Sequence, residues 1–446
     1  MICRKMTSLM LALTIFAAAS HTAGTRLSCS GASHPEKYEI AETETMSFRI
    51  YPDHAELHSV SKSAEGNMIV PQEVNGVPVT VIGEAAAIGS AGLTSVTIPD
   101  TVTRIGNNAF GLCKGLETVQ LPDSVVEIGN DAFTGCTALR SVTLPDSVRK
   151  IGKGVFKSCS CLMTVSLPDS LEVISDSAFM ACMNLTSVNI PDSVTEIGAR
   201  AFSGCEALAY VDLPDSVKKI GGDAFGFSGL RSIDLPDSVT EIDSGFSMGA
   251  FHWCSMLTSV NIPDSLDRIG TDMFQGCMEL REIVIPETVQ SIDYTAFNYC
   301  NKLETIVILN PECEICDSPD TICGTCTYWD EKKGKLVSEK AFRGTIYGYN
   351  GSTSQAYARK YGYRFMNIKL GDVNCDGIID AVDASGILGK YAAYSSGGDI
   401  FRKKEHILGD VNKDGYLDAV DASYVLAYYA YISGGGQLSF EEFIEK

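Results

Sequence analysis

Leu139-Arg-Ser-Val-Thr-Leu-Pro-Asp-Ser-Val-Arg-Lys-Ile-Gly-Lys-Gly-Val-Phe-Lys-Ser-Cys159 is one turn of a pattern that fills more than half of the chain. Its proline recurs at Pro99, Pro122, Pro145, Pro168, Pro191, Pro214, Pro236, Pro263 and Pro286, a spacing of 23 residues except for one gap of 22 and one of 27. A unit this short cannot bury its own apolar face, so a fixed period of this size predicts a solenoid whose core comes from stacking. Alternation at Leu139, Val142 and Leu144 predicts a short strand, and Pro-Asp-Ser a turn. Val148 and Ile151 then return to the core, and Val155-Phe156 is expected on the outer side of the coil. About ten coils, each adding about 4.8 Å, would make an open rod about 50 Å long with one continuous parallel sheet.

Two columns of residues accompany the repeat. Asp100, Asp123, Asp146, Asp169, Asp192, Asp215, Asp237 and Asp264 follow the prolines, where a carboxylate is expected to bond nearby backbone N–H groups and not to bind a ribbon of ions. Cys113, Cys136, Cys159, Cys182, Cys205, Cys254, Cys277 and Cys300 are expected to pack inward as small hydrophobes, with free thiols. Outward strand positions hold mostly Thr, Ser and Asn, with Tyr210 nearly alone among aromatics. The one overlong coil contains Phe246, His252 and Trp253, and these with Tyr210 form the candidate ligand spot on the repeats. The pattern resembles the leucine-rich repeats of the BspA-like surface-protein family, which implies a secreted or cell-surface binding protein.

The last part of the chain carries chemistry of another kind. Gly371-Asp-Val-Asn-Cys-Asp-Gly-Ile-Ile-Asp-Ala-Val-Asp383 and Gly409-Asp-Val-Asn-Lys-Asp-Gly-Tyr-Leu-Asp-Ala-Val-Asp421 are near-copies 38 residues apart. Oxygen-bearing side chains fall at the first, third, fifth, ninth and twelfth positions with Gly at the sixth, the ligand order of an EF-hand calcium loop. The ligands would be Asp372, Asn374, Asp376, the carbonyl of Ile378, Asp380 and Asp383 for one Ca2+ ion. For a second ion they would be Asp410, Asn412, Asp414, the carbonyl of Tyr416, Asp418 and Asp421. Without a cation such carboxylates repel one another, so the metal is expected to help fold the region. Only the exiting segments, Asp380 to Ala393 and Asp418 to Tyr431, have helical spacing.

This duplicated loop-plus-helix unit resembles the dockerin module of cellulosomal proteins, in which the segments bind a cohesin domain of a scaffoldin. Carried onto this chain, the resemblance implies cohesin contacts at Ala381, Val382, Leu388, Gly389 and Ala393, and at Ala419, Val420, Leu426, Ala427 and Tyr431. Many dockerins have hydroxyl residues where this chain has Ala-Val, which implies an apolar patch on the partner. Agreement between the copies is expected to permit docking in either of two orientations.

The expected organisation is a signal peptide at 1–19, an N-terminal cap at 36–78, repeats at 79–311, a C-terminal cap with a Cys-rich insert at 312–368, the dockerin at 371–432 and, at 433–446, a flexible tail with a small apolar anchor. In fold class this is an α/β leucine-rich-repeat solenoid, with one short strand per coil in a parallel sheet, followed by a small α-helical dockerin. Cys313, Cys316, Cys323 and Cys326 have the look of two metal knuckles, but the short spacer and expected export favour local disulfides or free thiols over zinc. A formal charge of −21 argues against nucleic-acid partners, and no stretch is long enough for membrane insertion. The six histidines fall in no catalytic motif. The chain therefore reads as a secreted noncatalytic component of a cellulosome-type complex, its repeats binding a protein or cell-surface ligand. The alternatives are a carbohydrate-binding or carbohydrate-active accessory subunit in polysaccharide catabolism, and a host-protein adhesin.

Overall fold

Why the coils stack is visible first in their aromatic rings. Phe110, Phe133, Phe156, Phe179, Phe202, Phe225, Phe251, Phe274 and Phe297 are fully buried. Successive rings lie 5.3 to 5.8 Å apart and within 14° of parallel. The computed structural model describes residues 38–243, 248–330, 335–340, 342–374, 376–395 and 404–445, with the backbone alone at 325–330, 335–340, 394 and 404–406. The expected signal peptide and Phe246 lie outside the described residues. The spine corrects one expectation: Val155 and Phe156 point into the core, since a ring of this size left in water would forfeit its transfer free energy in every coil.

Most coils have the expected strand, as at Ser141–Thr143 and Thr164–Ser166, and most add a two-residue strand in the Ile-Gly segment, as at Lys150–Ile151 and Val173–Ile174. Both sets pair in parallel one coil apart, Val142 opposite Val165 and Ile128 opposite Ile151. In place of one continuous sheet there are two ladders, each divided into short sheets. Strands of two or three residues ending at a proline offer few donors, so the ladder is easily interrupted. The strand ladder lapses at residues 208–213, beside the coil that is one residue short.

Cross-coil bonds explain the two columns. The hydroxyl of the Pro-Asp-Ser turn, not the carboxylate, ties coil to coil: Ser124 Oγ donates to the Val102 carbonyl at 2.6 Å, and Ser147 and Ser216 repeat the bond to Val125 and Val194. The aspartates of the turns are exposed. The buried thiols donate to the phenylalanine carbonyl of the preceding coil, as Cys136 Sγ does to Phe110 at 3.2 Å. In the short coil Ser228 takes the cysteine's place, 3.4 Å from Cys254 Sγ. Burial pushes the Cys205 and Cys254 thiols up to about 12, which keeps them unreactive. Cys323 extends the column, its Sγ 2.8 Å from the Cys300 carbonyl, while Cys313, Cys316 and Cys323 are all free. The side chain of Cys326 lies outside the described residues.

At the N-terminal end an antiparallel meander, Glu39–Glu42, Met46–Ile50 and Ala55–Val60, joins the array by parallel pairing with Val77–Ile82. At the other end Thr345–Gly348 and Arg364–Asn367 extend the ladder beyond Thr305–Ile308. Helix α1, Thr353–Tyr361, connects them; Ser352 caps it by accepting from Gln355 N, and Gly362 closes it at φ 67°. Gln355 reaches back to Gly351 N and not to its cap residue, which leaves the expected capping box half formed. The strands Glu282–Ile285, Thr305–Ile308 and Thr345–Gly348 differ from the rest in being buried on both faces. Val284, Val307 and Tyr347 stand where earlier coils have polar residues such as Thr143, Asn189 and Asn261, and they form a second apolar core with Ile368, Leu408 and Phe440 of the C-terminal module. Replacing Phe179 by Ala should destabilise the array by roughly 3–5 kcal/mol in chemical denaturation, whereas Thr164→Ala on the solvated face should cost less than about 0.5 kcal/mol.

Candidate functional site

Each C-terminal loop is organised by its own carboxylates. Asp383 is fully buried, and its oxygens accept from Asn374 N at 3.1 Å and Asp380 N at 3.0 Å, joining the two ends of the first loop. Asp421 does the same in the second, accepting from Val411 N at 2.9 Å and Asp418 N at 2.9 Å. Asp372 accepts from Gly377 N at 2.9 Å and Asp410 from Gly415 N at 3.0 Å. The sixth-position glycines turn these bonds inward from φ 88° and 85°, a left-handed conformation that side chains disfavour. Asn374 and Asn412 accept from Asp376 N and Asp414 N at 2.8 and 3.0 Å.

The loops then start the helices. Asp380 Oδ1 accepts from Val382 N at 2.7 Å, ahead of α2, Ala381–Ser395. Asp418 caps α4, Ala419–Ser433, in a capping box completed by Asp421. The sequence signal for that second duty of the closing Asp is the Asp-x-x-Asp spacing. Between them lies the short helix α3, Lys404–Gly409.

Oxygen donors alone, convergent turns and buried carboxylates suit a hard divalent cation. Burial, together with Asp383 and Asp376 nearby, raises the Asp372 carboxyl, and burial raises Asp421, the direction a bound cation would reverse. Among the described residues no three His, Cys, Asp or Glu side chains close on one point; the carboxylates are engaged with amide hydrogens of their own loop. Ile378 and Tyr416, at the seventh positions, expose their side chains.

Of the implied cohesin contacts, Ala381, Val382, Leu388, Gly389 and Ala393 on α2 are exposed, and so are Ala419, Val420, Leu426 and Ala427 on α4. Tyr431 is half-buried. Its ring meets Phe443 at 5.2 Å, and its hydroxyl accepts from Gln437 N at 3.2 Å. The tail expected to be flexible is helix α5, Phe440–Ile444, with a Ser439–Glu442 capping box and Phe440 buried against Tyr428 at 5.0 Å. The Ser-x-x-Glu spacing of Ser439 and Glu442 is the sequence signal for that helix.

The candidate spot on the repeats is divided. Tyr210, 62 % exposed, lines a shallow groove with Arg231, Met256 and Glu279. His252 is buried and Trp253 half-buried on the turn that carries the spine, while Phe246 lies outside the described residues. Trp253 lies between Phe227 and Tyr299 over Gly276, where a Cβ would strike the indole. His252 Nε2 meets Gln275 Oε1 at 3.0 Å, and burial lowers its pKa. Nearby in the preceding coil, Asp223 is buried, with Ser203 Oγ donating to it at 3.1 Å and its second oxygen unpartnered. Burial pushes its carboxyl up to about 7, a penalty that Ser203 and the half-exposed Arg200 at 3.7 Å do not offset. The folded chain thus holds this proton more tightly than the unfolded one. Its contribution to stability is complete below about pH 4 and is lost as the pH rises through about 7. Asp223→Asn should therefore raise the melting temperature at pH 8 and leave it nearly unchanged at pH 4, as thermal unfolding at the two pH values would show.

Residues 80–208 and 172–304 match the family described as BspA type Leucine rich repeat region (6 copies), and residues 370–430 match the Dockerin type I domain. Similar solved structures include a leucine-rich repeat protein of T. pallidum, at 30% identity over 42% of this chain and 89% of that one, TM-score 0.39. A leucine rich cell surface protein of Faecalibacterium prausnitzii is 27% identical over 65% and 96%, TM-score 0.41. A leucine-rich repeat protein of Bacteroides ovatus is 23% identical over 76% and 100%, TM-score 0.44. No curated protein matches the chain.

Proposed function

The chain belongs to the BspA-type leucine-rich repeat family and carries a type I dockerin domain, and from that premise we propose that it is a secreted, noncatalytic component that a calcium-loaded dockerin plugs into a cohesin-bearing scaffoldin. Dockerins of this type bind calcium and cohesins, leucine-rich repeats mediate protein interactions, and both kinds of domain are noncatalytic. Proteins of both families are typically extracellular or surface-associated. Among the described residues no helix is long and apolar enough to cross a membrane.

One observation carries the reading. Each loop ends in a fully buried Asp that also starts a helix, and each helix presents exposed apolar residues, Val382 and Leu388 on α2, Val420 and Leu426 on α4. A partner that covers such a face explains solvent-facing valine and leucine beside a loop that suits a cation. Asp372, Asn374, Asp376, Asp380 and Asp383 with the Ile378 carbonyl would hold one Ca2+, and their second-copy equivalents another. The ion would supply the positive charge that lets the carboxylates approach, fixing the start of each helix. On the repeat array, the groove beside Tyr210 and Met256 is the surface offered to a protein or cell-surface ligand.

Calorimetry is expected to record two calcium ions per chain, with Asp383→Ala and Asp421→Ala each losing one. At calcium a hundredfold above its dissociation constant, the module should gain about 2.7 kcal/mol of stability per site. Chelation should abolish capture by a cohesin domain, and capture that persists in chelator would refute the calcium-dependent plug.

A further inference from the structure

The two copies share their loop oxygen positions, but their helices differ in sequence and the fold makes their outer faces unequal. Resting on the docking function just proposed, we infer that the chain presents a single competent face, that of α2, because its own C-terminal segment occupies the end of the corresponding face of α4. At a 38-residue offset Ala393 corresponds to Tyr431 and Lys390 to Tyr428. Tyr431 is gripped from two sides: Gln437 N and Leu438 N donate to its hydroxyl at 3.2 and 3.3 Å, and the Phe443 ring lies 5.2 Å away. Gly436 passes so close over the ring that a Cβ there would overlap it. Tyr428 donates to the Leu438 carbonyl at 3.2 Å and packs edge-on to Phe440. By contrast Ala393 is exposed.

The middle of each face differs in the same sense. On α2, Gly386 and Gly389 flank Leu388, and a Cβ at Gly389 would meet nothing within 4 Å. Their counterparts on α4 are Tyr424, 37 % exposed, and Ala427. A flat apolar protein surface can therefore lie along α2 from Val382 to Ala393. On α4 it meets a tyrosine ring midway and the tail at the far end. The partner this surface fits is a protein face without charge opposite Leu388, approaching closely enough to use the glycines.

The test uses the full chain and, as probe, a type I cohesin domain selected for binding the wild-type protein in calcium. Val382→Asp with Leu388→Asp should weaken binding at least about 100-fold, whereas Val420→Asp with Leu426→Asp should change it less than about threefold. Equal losses, or a larger loss from the α4 pair, overturn the inference. Unchanged calcium uptake and circular dichroism exclude misfolding of either variant. Phe443→Ala loosens the tail from Tyr431 while keeping the Phe440 anchor, and should cut the penalty of the α2 pair at least about threefold. A penalty unaltered by Phe443→Ala also overturns it, since the tail would then not be the cause. If no cohesin domain binds the wild-type chain, the docking function itself fails, an outcome distinct from the other two.

Discussion

Parallel stacking of one phenylalanine ring on the next is the contact on which the array depends. It fixes the distance between coils, and everything else that repeats must comply with that distance. The serine hydroxyls, the thiols and both strand ladders all bridge to the neighbouring coil at this spacing. A buried column of rings cannot tolerate a gap, because a missing ring would leave a cavity bordered by two others. The serine that replaces a cysteine beside the short coil is accommodated because the thiol column sits next to the rings and is not itself one of them.

A stack of this kind must end, and its C-terminal end is converted into a seat. Where the outward strand positions change from Thr and Asn to Val284, Val307 and Tyr347, the solvated face becomes apolar and the C-terminal module covers it. Residues Glu39–Lys446 accordingly form one compact unit. Because Arg364–Asn367 is at once the last ladder strand and the lead into the first loop, hardly any chain is left between array and module to act as a loose tether. A ligand on the array and a partner on the helices would then be held in a fixed relation.

Within the module, carboxylates do two jobs at once. The ninth-position aspartates cap helices, and the twelfth-position aspartates cross-link the loop ends while buried. A buried carboxylate is tolerated only if amide hydrogens or a cation meet its oxygens, which is why the loop, the helix start and the capacity for a metal cannot be altered separately. The tail helix adds a further constraint by packing Phe440 into the same core, and in doing so it removes the likeness between the two copies.

The repeat period, the inward cysteines, the strand of each coil and both acidic loops were legible in the sequence, since each depends on residues a fixed distance apart along the chain. Phe156 was misplaced because periodicity says that a residue recurs, not which way it faces; only the packed coil decides that. The run Ile283-Val284-Ile285 held a sign of the buried platform, yet what covers it comes from residues some 80 to 160 positions later. Gly386, Gly389 and Ala393 stand where the second copy has Tyr424, Ala427 and Tyr431, a difference visible in the sequence, but the covering of α4 could not be read from either segment. It arises from a third segment, the tail, whose aromatic rings choose Tyr428 and Tyr431 in three dimensions. Local spacing therefore determined the units and their chemistry, and long-range burial decided which of their faces remain open.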